Sequence, residues 1–304
     1  MDEETLAKYR QAGKIAAQAL AFGAARITPG ARVVDVLDEV EEFIREQGAD
    51  MAFPAQVSIN AVAAHFCPKA DDMTVFREGD VVKLDVGVHV DGFVGDNAVT
   101  IYLGDDAEID RLVEASRAAR DAAIALVRAG VTPHELGAAI EQEITKRGFK
   151  PIRNLSGHGV AQYIVHTAPS IPNYPNGDKT PLVAGQTIAI EPFASTGAGR
   201  VEQRGENTLY SVPKLRPIRT AAQDVIKRIK SYRGLPFTTR WLTREFGEGK
   251  VRLALFSLKH ARLLNEYPPL PDAQGGLVSQ SEHTLLVTAD GCEILTLANT
   301  THST

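Results

Sequence analysis

The chain has 304 residues, 44% of them hydrophobic, so it can bury one large core or two smaller ones. A net charge of −5 at pH 7 excludes a general affinity for nucleic acid, and two cysteines exclude a disulfide framework. The first residues, MDEETLAKYR, lack the apolar stretch of a secretory signal, and no apolar run approaches the about 20 residues of a membrane helix. We therefore expect a cytoplasmic protein without membrane association.

The first part of the chain predicts two helices. Residues 3–26 and 32–47 place apolar side chains at helical spacing, and a Thr-Pro-Gly sequence at residues 28–30 breaks the pattern. The same order of segments returns later, because residues 19–48 resemble residues 123–148. Alanine-rich helices also resemble one another by chance, but the length of the match indicates a duplicated α/β unit.

An apolar strand follows each copy of the helical segment. The strands end in a carboxylate at matching places, Asp85 in the first copy and Glu191 in the second. His65 and His166 also occupy similar places in the two copies. Two copies are too few for a solenoid. We therefore predict one α/β domain of two pseudo-twofold-related halves, with the functional site at their junction.

Residues 81–99 predict a β-hairpin. Two β-branched runs flank Asp91-Gly92, a dipeptide suited to the positive φ angles of a two-residue type I′ turn. In that register Asp85 and Asp96 are diagonal neighbours on one face of the hairpin. Two interpretations remain open at this point: a surface hairpin with solvated aspartates, or two carboxylates that share a divalent cation.

The second half predicts a similar pair of strands with a large insertion between them. Its second strand is residues 278–287, in which Glu282 is the counterpart of Asp96. Glu191 and Glu282 are 91 positions apart, whereas Asp85 and Asp96 are 11 apart. We predict that residues from about 200 to about 272 form a small helical, winged-helix-like insert within a single domain of residues 1–304.

The insert is basic and rich in helix-forming sequence. Residues 213–262 contain thirteen Lys and Arg against three Asp and Glu, a net charge of +10 that leaves −15 for the rest. Helices are predicted at residues 219–233, around Trp241 and at residues 250–264.

Five side chains form a candidate metal site: Asp85, Asp96, His158, Glu191 and Glu282. This hard, oxygen-rich set suits Mn, Fe(II), Co or two zinc ions better than a structural zinc ion. Four carboxylates balance two divalent cations, which would activate a bridging water for hydrolysis. Each residue alone has a plainer interpretation, because a histidine between glycines can cap a turn and a strand-end glutamate can face solvent.

These residues and their surroundings resemble the methionine aminopeptidases over essentially the whole chain. The similar motifs include SGHG at His158, IVH at His166, AIEPF at Glu191 and SEHT at Glu282. Three further segments match: FPAQVSINAVAAHF at 53–66, LPFTTRWL at 235–242 and EYPPLPD at 266–272. The large insert resembles the type II branch, and the short N-terminal part resembles its archaeal form.

The resemblance implies a pita-bread fold with a curved antiparallel sheet, and a metal-dependent hydrolase that removes initiator methionine when the next residue is small. It implies that Asp85 binds one of two divalent ions and that Asp96 and Glu282 bridge both. It further implies that His158 and Glu191 bind the other ion, and that a bridging hydroxide attacks the methionyl carbonyl.

The resemblance also implies roles around the metal ions. His65 and His166 would hydrogen-bond the scissile amide and its tetrahedral intermediate, and Glu191 would also move a proton. Phe53, Val165 and Tyr267 match positions that line the methionine side-chain pocket. For each of these last three residues, ordinary core packing is the alternative.

One position departs from the family pattern. The family usually has an aromatic residue before the last glutamate, where this chain has Ser281. Because successive strand residues face opposite sides, we expect this change to alter packing behind the site and not metal binding.

Three other functions stay open at the level of the sequence. An Xaa-Pro dipeptidase has the same fold but usually carries an additional N-terminal domain. A non-catalytic relative that binds RNA or protein would have lost ligands, and all five are present here. A cysteine peptidase based on Cys67 lacks an accompanying orienting motif.

The expected partners are peptides and nascent chains with N-terminal methionine. The basic insert predicts a contact with ribosomal RNA, and a solvated helical face without a partner is the alternative. We expect no membrane partner and a monomer.

Overall fold

The computed structural model describes residues 1–297. Within that range the chain forms seven helices: α1 (Glu3–Ala24), α2 (Val33–Glu46), α3 (Ala107–Ile124), α4 (Pro133–Thr145), α5 (Gln223–Ser231), α6 (Thr239–Phe246) and α7 (Glu248–His260). It also forms seventeen strands: β1 (Asp50–Met51), β2 (Gln56–Ile59), β3 (Val62–Ala64), β4 (Val81–Val90), β5 (Phe93–Tyr102), β6 (Lys150–Pro151), β7 (Ser156–Ala161), β8 (Ile164–Pro172), β9 (Thr187–Ile190), β10 (Phe193–Ser195), β11 (Leu209–Ser211), β12 (Phe237–Thr238), β13 (Asn265–Glu266), β14 (Leu270–Pro271), β15 (Val278–Gln280), β16 (Glu282–Val287) and β17 (Cys292–Ile294).

A curved antiparallel sheet organises the fold. Its strands run in the order β1-β4-β5-β16-β9-β7-β8, with β2 also on β4 and β17 also on β16. The two central strands, β5 and β16, come from different halves of the sequence and pair with each other. The predicted α/β class and curved antiparallel sheet are confirmed.

Two pairs of helices cover one face of this sheet. In the first half, the fully buried side chains of Leu84 and Val86 on β4 pack with Leu37 on α2. In the second half, Ile188 on β9 packs in the same way with Leu136 on α4. Each half therefore buries the apolar face of its own strands, and the opposite face is left for polar side chains.

The predicted hairpin is confirmed together with its register. Val90 pairs with Phe93, and Asp91 and Gly92 form the turn with φ angles of 52° and 89°. Positive φ at both residues defines the type I′ turn, which glycine adopts without steric cost.

The second half has the predicted strand pair, with one difference. β9 pairs with β16 as expected. The single strand predicted at residues 278–287 is wrong, because it divides at Ser281 into β15, in a sheet with β10 and β6, and β16 in the main sheet. The division lets one segment contribute to two sheets.

The basic insert contains helices and a small sheet. β12, β11 and β13 form a three-stranded sheet, and α5, α6 and α7 pack around a separate apolar core that includes Val225, Phe237 and Leu258. The first predicted helix begins later than expected, at Gln223, and Ala222 before it has φ −101° and ψ 45°, outside the helical region. The last ends earlier, at His260, followed by Arg262 with a φ of 56°.

No helix within residues 1–297 is long and apolar enough to cross a bilayer.

Candidate metal centre

The sheet register places the five candidate ligands on one face. Asp85 and Glu282 pair with Ala98 from opposite sides, so all three side chains share its face. Asp96 lies two residues before Ala98 on the same strand and points to the same side. The small side chain of Ala98 leaves the centre of this face open to the surrounding carboxylates.

The strands of the second half complete the group. His158 on β7 pairs with Ala189 on β9, and Glu191 follows two residues after Ala189, so both ligands face the same side. The five side chains line one cavity of about 210 Å³. The site therefore lies where the two halves of the sheet meet, as the repeat predicts.

Short distances connect the ligand atoms. His158 Nε2 lies 3.4 Å from Glu191 Oε1 and 3.8 Å from Asp96 Oδ2. One ligand atom each from Asp96, His158 and Glu282 lie within 4.8 Å of one another. All three are buried, so these polar atoms converge in a space that solvent barely reaches.

Two glycines let the strand of His158 approach its neighbours. A Cβ atom at Gly157 would lie 2.3 Å from the Ala189 carbonyl oxygen, and one at Gly159 would lie 2.2 Å from that of Ala168. The backbone of β7 therefore lies close to the adjacent strands β9 and β8. Tight strand packing thereby fixes the position of the imidazole.

The histidine ring is also oriented. His158 Nδ1 lies 3.2 Å from the carbonyl oxygen of Gly159, to which an Nδ1–H can donate, and Nε2 then faces the carboxylates. Burial, followed by the neighbouring His166, lowers the pKa of His158 to about 3. The ring is therefore neutral at physiological pH, which is the form that binds a metal ion.

The two further histidines flank the centre. His166 contacts the ring of His158 at a centroid distance of 4.3 Å, and His65 contacts the ring of Tyr267 at 5.7 Å. Burial is the main cause that lowers the pKa of both, to about 4 for His65. Both are neutral at pH 7, and each can offer one N–H donor to a ligand in the cavity.

The expected pocket residues lie in the same cavity. Phe53 and Val165 are buried beside it, and Tyr267 closes it from the insert side, where its hydroxyl is 2.9 Å from Ser211 Oγ. Leu209 and Pro236 also line the cavity from the insert, and the sequence did not single them out.

Two polar residues beside the ligands were also missed. Thr284 Oγ1 accepts a hydrogen bond from the backbone N–H of Asp96 and donates one to its carbonyl oxygen, both at 2.8 Å. Gln280 Nε2 lies 3.5 Å from Glu191 Oε2. The polar alternation of Gln280, Glu282 and Thr284 in the sequence was the available signal.

Ser281 points away from the ligands. Its hydroxyl accepts a hydrogen bond of 3.0 Å from Arg120 on α3, on the helix-covered side of the sheet. Where the family usually has an aromatic residue, Ser281 therefore makes a polar contact on the side of the sheet away from the candidate ligands.

Comparison with known proteins agrees with this arrangement. The model of Metallopeptidase family M24 matches residues 7–289. The chain belongs to metallopeptidase family M24. A methionine aminopeptidase from Archaeoglobus fulgidus is 47% identical over 97% of this chain and 100% of its own length, and one from Pyrococcus horikoshii is 44% identical over 95% and 98%.

A solved structure gives the same result for the M24 fold. The methionine aminopeptidase of Thermotoga maritima superposes with a TM-score of 0.73 at 27% identity, and the match covers 97% of this chain and 98% of that one. The predicted resemblance to methionine aminopeptidases and the predicted pita-bread fold are confirmed.

The side chains fit the divalent metal that an M24 metallopeptidase uses. Among residues 1–297, buried oxygens without a hydrogen-bond partner include Asp85 Oδ1, Asp96 Oδ1 and Glu282 Oε1. Such atoms are costly unless a cation or a donor reaches them. Three orphaned carboxylate oxygens in one cavity, beside a neutral imidazole, match the donor set of a hard divalent ion.

The protonation of the carboxylates supports the same conclusion. Burial raises the pKa of Asp85 to about 7. Burial, and then the negative charge of neighbouring carboxylates, raises the pKa of Asp96, Glu191 and Glu282 well above the usual values. Without cations these carboxylates bind protons more tightly than ordinary carboxylates do, and cations would take the place of the protons.

Proposed function

We propose that the protein is a methionyl aminopeptidase that removes initiator methionine from nascent proteins and peptides whose second residue is small. The observation that carries this proposal is the group of four carboxylates and His158 at the base of a cavity lined by Phe53, Val165 and Tyr267. A small cavity with an apolar wall and a metal site at its base suits one apolar N-terminal side chain and its scissile bond.

The five ligands would hold two divalent ions. Asp85 would bind one ion, His158 and Glu191 the other, and Asp96 and Glu282 would bridge them. Co, Mn, Fe(II) and Zn are all compatible with this donor set. When bound, such ions supply an activated water at neutral pH and polarise the carbonyl of the scissile amide.

The remaining work falls to side chains of the chain itself. His65 and His166, both neutral at pH 7, would donate an N–H each to the scissile amide and to the oxyanion that develops on its carbonyl oxygen. Glu191 would carry a proton to the leaving amine. Phe53, Val165 and Tyr267 would enclose the methionine side chain and hold the scissile bond over the ligands.

Peptide hydrolysis tests this function directly. With metal ions added, the protein should release methionine from Met-Ala-Ser and leave Ala-Pro intact, and a chelator should stop the reaction. Cleavage of Ala-Pro instead would identify an Xaa-Pro dipeptidase. Inactivity towards both peptides with every metal ion tested would indicate a non-catalytic relative.

Treatment with a thiol reagent tests the remaining alternative, a cysteine peptidase based on Cys67. Cys67 is only 2% exposed, and burial raises the pKa of its thiol, so it should be inert. Loss of activity on thiol modification, with no loss on chelation, would favour a cysteine peptidase.

We also propose that the chain is a single cytoplasmic domain that acts as a monomer, with residues from about 200 to about 272 as its insert. The separate apolar core of the insert supports this division. Sedimentation of the full chain at micromolar concentration would test the oligomeric state.

The basic insert is proposed to contact ribosomal RNA. Five of its thirteen cations form ion pairs within the protein: Arg228, Arg240, Arg244, Lys250 and Lys259. Lys227 and Lys230 are exposed on α5 and have no ion-pair partner among residues 1–297, so they are better positions for charge reversal than Arg228.

Co-sedimentation with ribosomes tests this contact. The variant Lys227→Glu/Lys230→Glu should sediment less than the wild-type protein, and binding should weaken steeply with salt. Lys14→Glu, on the exposed side of α1, is the control for a lysine reversal outside the insert. Binding that is independent of salt would contradict the proposal.

A further inference from the structure

A buried arginine connects the insert to the main body. Arg240, in the first turn of α6, is fully buried, with 0% of its surface exposed. Its guanidinium donates to Glu41 Oε1 at 2.7 Å and to Glu41 Oε2 at 3.3 Å, and it also contacts Asp38. Both acids lie on α2, about 200 residues earlier in the chain. One side chain of the insert thereby reaches into the acidic face of a main-body helix.

Neighbouring residues reinforce this contact. Trp241 Nε1 donates to Glu41 Oε2 at 2.7 Å, and Arg244 donates to both oxygens of Asp38 at 2.8 and 2.6 Å. Glu41 is only 2% exposed. We call Asp38, Glu41, Arg240, Trp241 and Arg244 the anchor. The fork of an arginine fixes direction as well as distance when it binds carboxylates in this way.

The anchor lies beside a cleft. A cavity of about 860 Å³ separates part of α2 from the insert, and Glu41, Trp241 and Arg244 are among its lining residues. The insert is therefore not packed continuously against α2. The guanidinium of Arg240 contacts both carboxylate oxygens of Glu41, and such a two-point contact defines the orientation of α6 relative to α2.

The anchor leads to the wall of the substrate cavity through a short sheet. Arg240 follows β12, where Thr238 pairs with Leu209 on β11. The Tyr267 backbone N–H donates to the Leu209 carbonyl oxygen at 3.0 Å. Leu209 and Tyr267 line the cavity, as does Pro236 immediately before β12. A shift of Arg240 would therefore move the insert side of the cavity.

The same region also contacts the segment of His65. Thr208 Oγ1 donates to the Cys67 carbonyl oxygen at 2.5 Å, two residues after His65. The His65 ring rests edge-on against Tyr267. His65, the proposed hydrogen-bond donor, and Tyr267, in the proposed pocket wall, are thus both held in place by contacts with residues of the insert.

We propose that Arg240 is a positioning residue for the substrate cavity, holding Leu209, Pro236 and Tyr267 at the distance that methionine binding requires through its ion pairs with α2. This inference rests on the proposed aminopeptidase function. Because the five ligands lie on the main sheet and not on the insert, the anchor acts on substrate binding and leaves the metal site intact.

Steady-state kinetics test the proposal. Arg240→Lys retains the charge and loses the fork, so KM for Met-Ala-Ser should rise about tenfold while kcat stays within about twofold. The metal affinity, measured by titration with Mn²⁺, should not change. Arg228→Lys is the matched control, because Arg228 pairs with Glu245 inside the insert and has no place in the anchor. Its KM should equal that of the wild-type protein.

A second variant covers the case in which the lysine variant does not fold. Arg240→Met/Glu41→Leu removes both partners of the buried pair, which apolar side chains often replace without loss of folding. It should show the same rise in KM. An unchanged KM in either folded variant would overturn the proposal, as would a loss of Mn²⁺ affinity equal to the loss of activity.

Amide hydrogen exchange provides a readout that does not depend on catalysis. In both anchor variants the backbone amide of Tyr267 should exchange faster, while amides of β4 and β5 keep their wild-type protection. Exchange at wild-type rates would contradict the positioning role. Wild-type protein without aminopeptidase activity would instead contradict the proposed function, and exchange would still decide the role of Arg240.

Discussion

The two halves of the central sheet have the same architecture but are closed in different ways. In the first half, Asp91 and Gly92 join β4 directly to β5. In the second half, the chain leaves β9, forms the insert and returns as β16. Both halves supply two carboxylates to one centre. The comparison indicates that the paired strands position the four carboxylates, whereas the added segment contributes Leu209, Pro236 and Tyr267 to the cavity wall.

The halves also differ in what fixes their carboxylates. A local turn determines the places of Asp85 and Asp96, which are 11 positions apart. Glu282 is placed by its pairing with Ala98 of the other half. Asp96 contacts both halves, because Thr284 on β16 binds its backbone. Variants at these places therefore separate the contribution of each half.

The largest effect is expected at Asp96, where the halves meet. Asp96→Ala removes the proposed shared ligand, and the rate of Met-Ala-Ser hydrolysis should fall about 10³-fold or more, since several kcal/mol of transition-state stabilisation would depend on the metal centre. Asp105→Ala changes an exposed aspartate and is the matched control. Turnover at the wild-type rate in Asp96→Ala would refute the shared role.

The pH dependence of stability distinguishes the four carboxylates from ordinary surface acids. Their pKa values are raised in the folded protein, so without metal the folded state binds more protons than the unfolded state. For Asp85 this contribution to stability is complete below about pH 4, the ordinary pKa of such a group, and is lost as pH rises through about 7. The other three carboxylates contribute with the same sign, because their pKa values are also raised.

Bound metal ions should prevent this loss of stability at higher pH, because they take the place of the protons on the carboxylates. The difference in Tm between protein with Mn²⁺ and protein with a chelator should therefore grow from pH 5 to pH 7.5 by about 5 °C or more. Differential scanning calorimetry measures it, with Asp96→Ala as the control in which the growth is reduced. A Tm difference that shrinks as pH rises would contradict the exchange of protons for metal ions at these carboxylates.

The turn of the first half should be sensitive to substitution. Gly92 has a φ of 89°, and a Cβ there would lie 2.3 Å from the ring of Tyr163, so Gly92→Ala should cost about 1–3 kcal/mol of unfolding free energy. Gly249→Ala, where the structure leaves open space within α7, should be neutral or stabilising. Chemical denaturation compares the two, and equal effects would contradict the strain argument.

The smallest effect is expected at Ser281, which lies on the helix-covered side of the sheet. Ser281→Ala removes the hydroxyl that Arg120 binds and should cost about 1 kcal/mol or less, because Arg120 keeps its contact with Asp121. KM and kcat should stay at wild-type values, since the side chain faces away from Glu282. Ser257→Ala is the control, because the Ser257 hydroxyl donates only to the Leu253 carbonyl oxygen within α7. A marked fall in kcat would place Ser281 in the site.

Sequence reasoning predicted the parts of the molecule that follow local rules. The Asp-Gly turn determines the register of β4 and β5, and period-two alternation then places Asp85 and Asp96 on one face. The repeat identified Glu191 and Glu282 as counterparts. These features depend on short segments whose geometry their own residues determine.

Features that depend on long-range packing were not predictable in the same way. The strand predicted at residues 278–287 divides at Ser281 because its two parts belong to different sheets. No local sequence pattern indicates this division. Leu209 and Pro236 reach the cavity only because the insert folds back, and the partnership of Arg240 with Glu41 spans 199 positions. Such contacts are decided by tertiary structure, and periodicity gives no sign of them.

We propose that the junction of the two halves holds two divalent ions. Elemental analysis of protein loaded with Mn²⁺ and freed of excess metal tests it most directly, with Asp96→Ala and Asp105→Ala treated in parallel. We expect two ions per chain in the wild-type protein and in Asp105→Ala, and fewer than one in Asp96→Ala. Equal metal content in all three proteins, or none in the wild type, would contradict it.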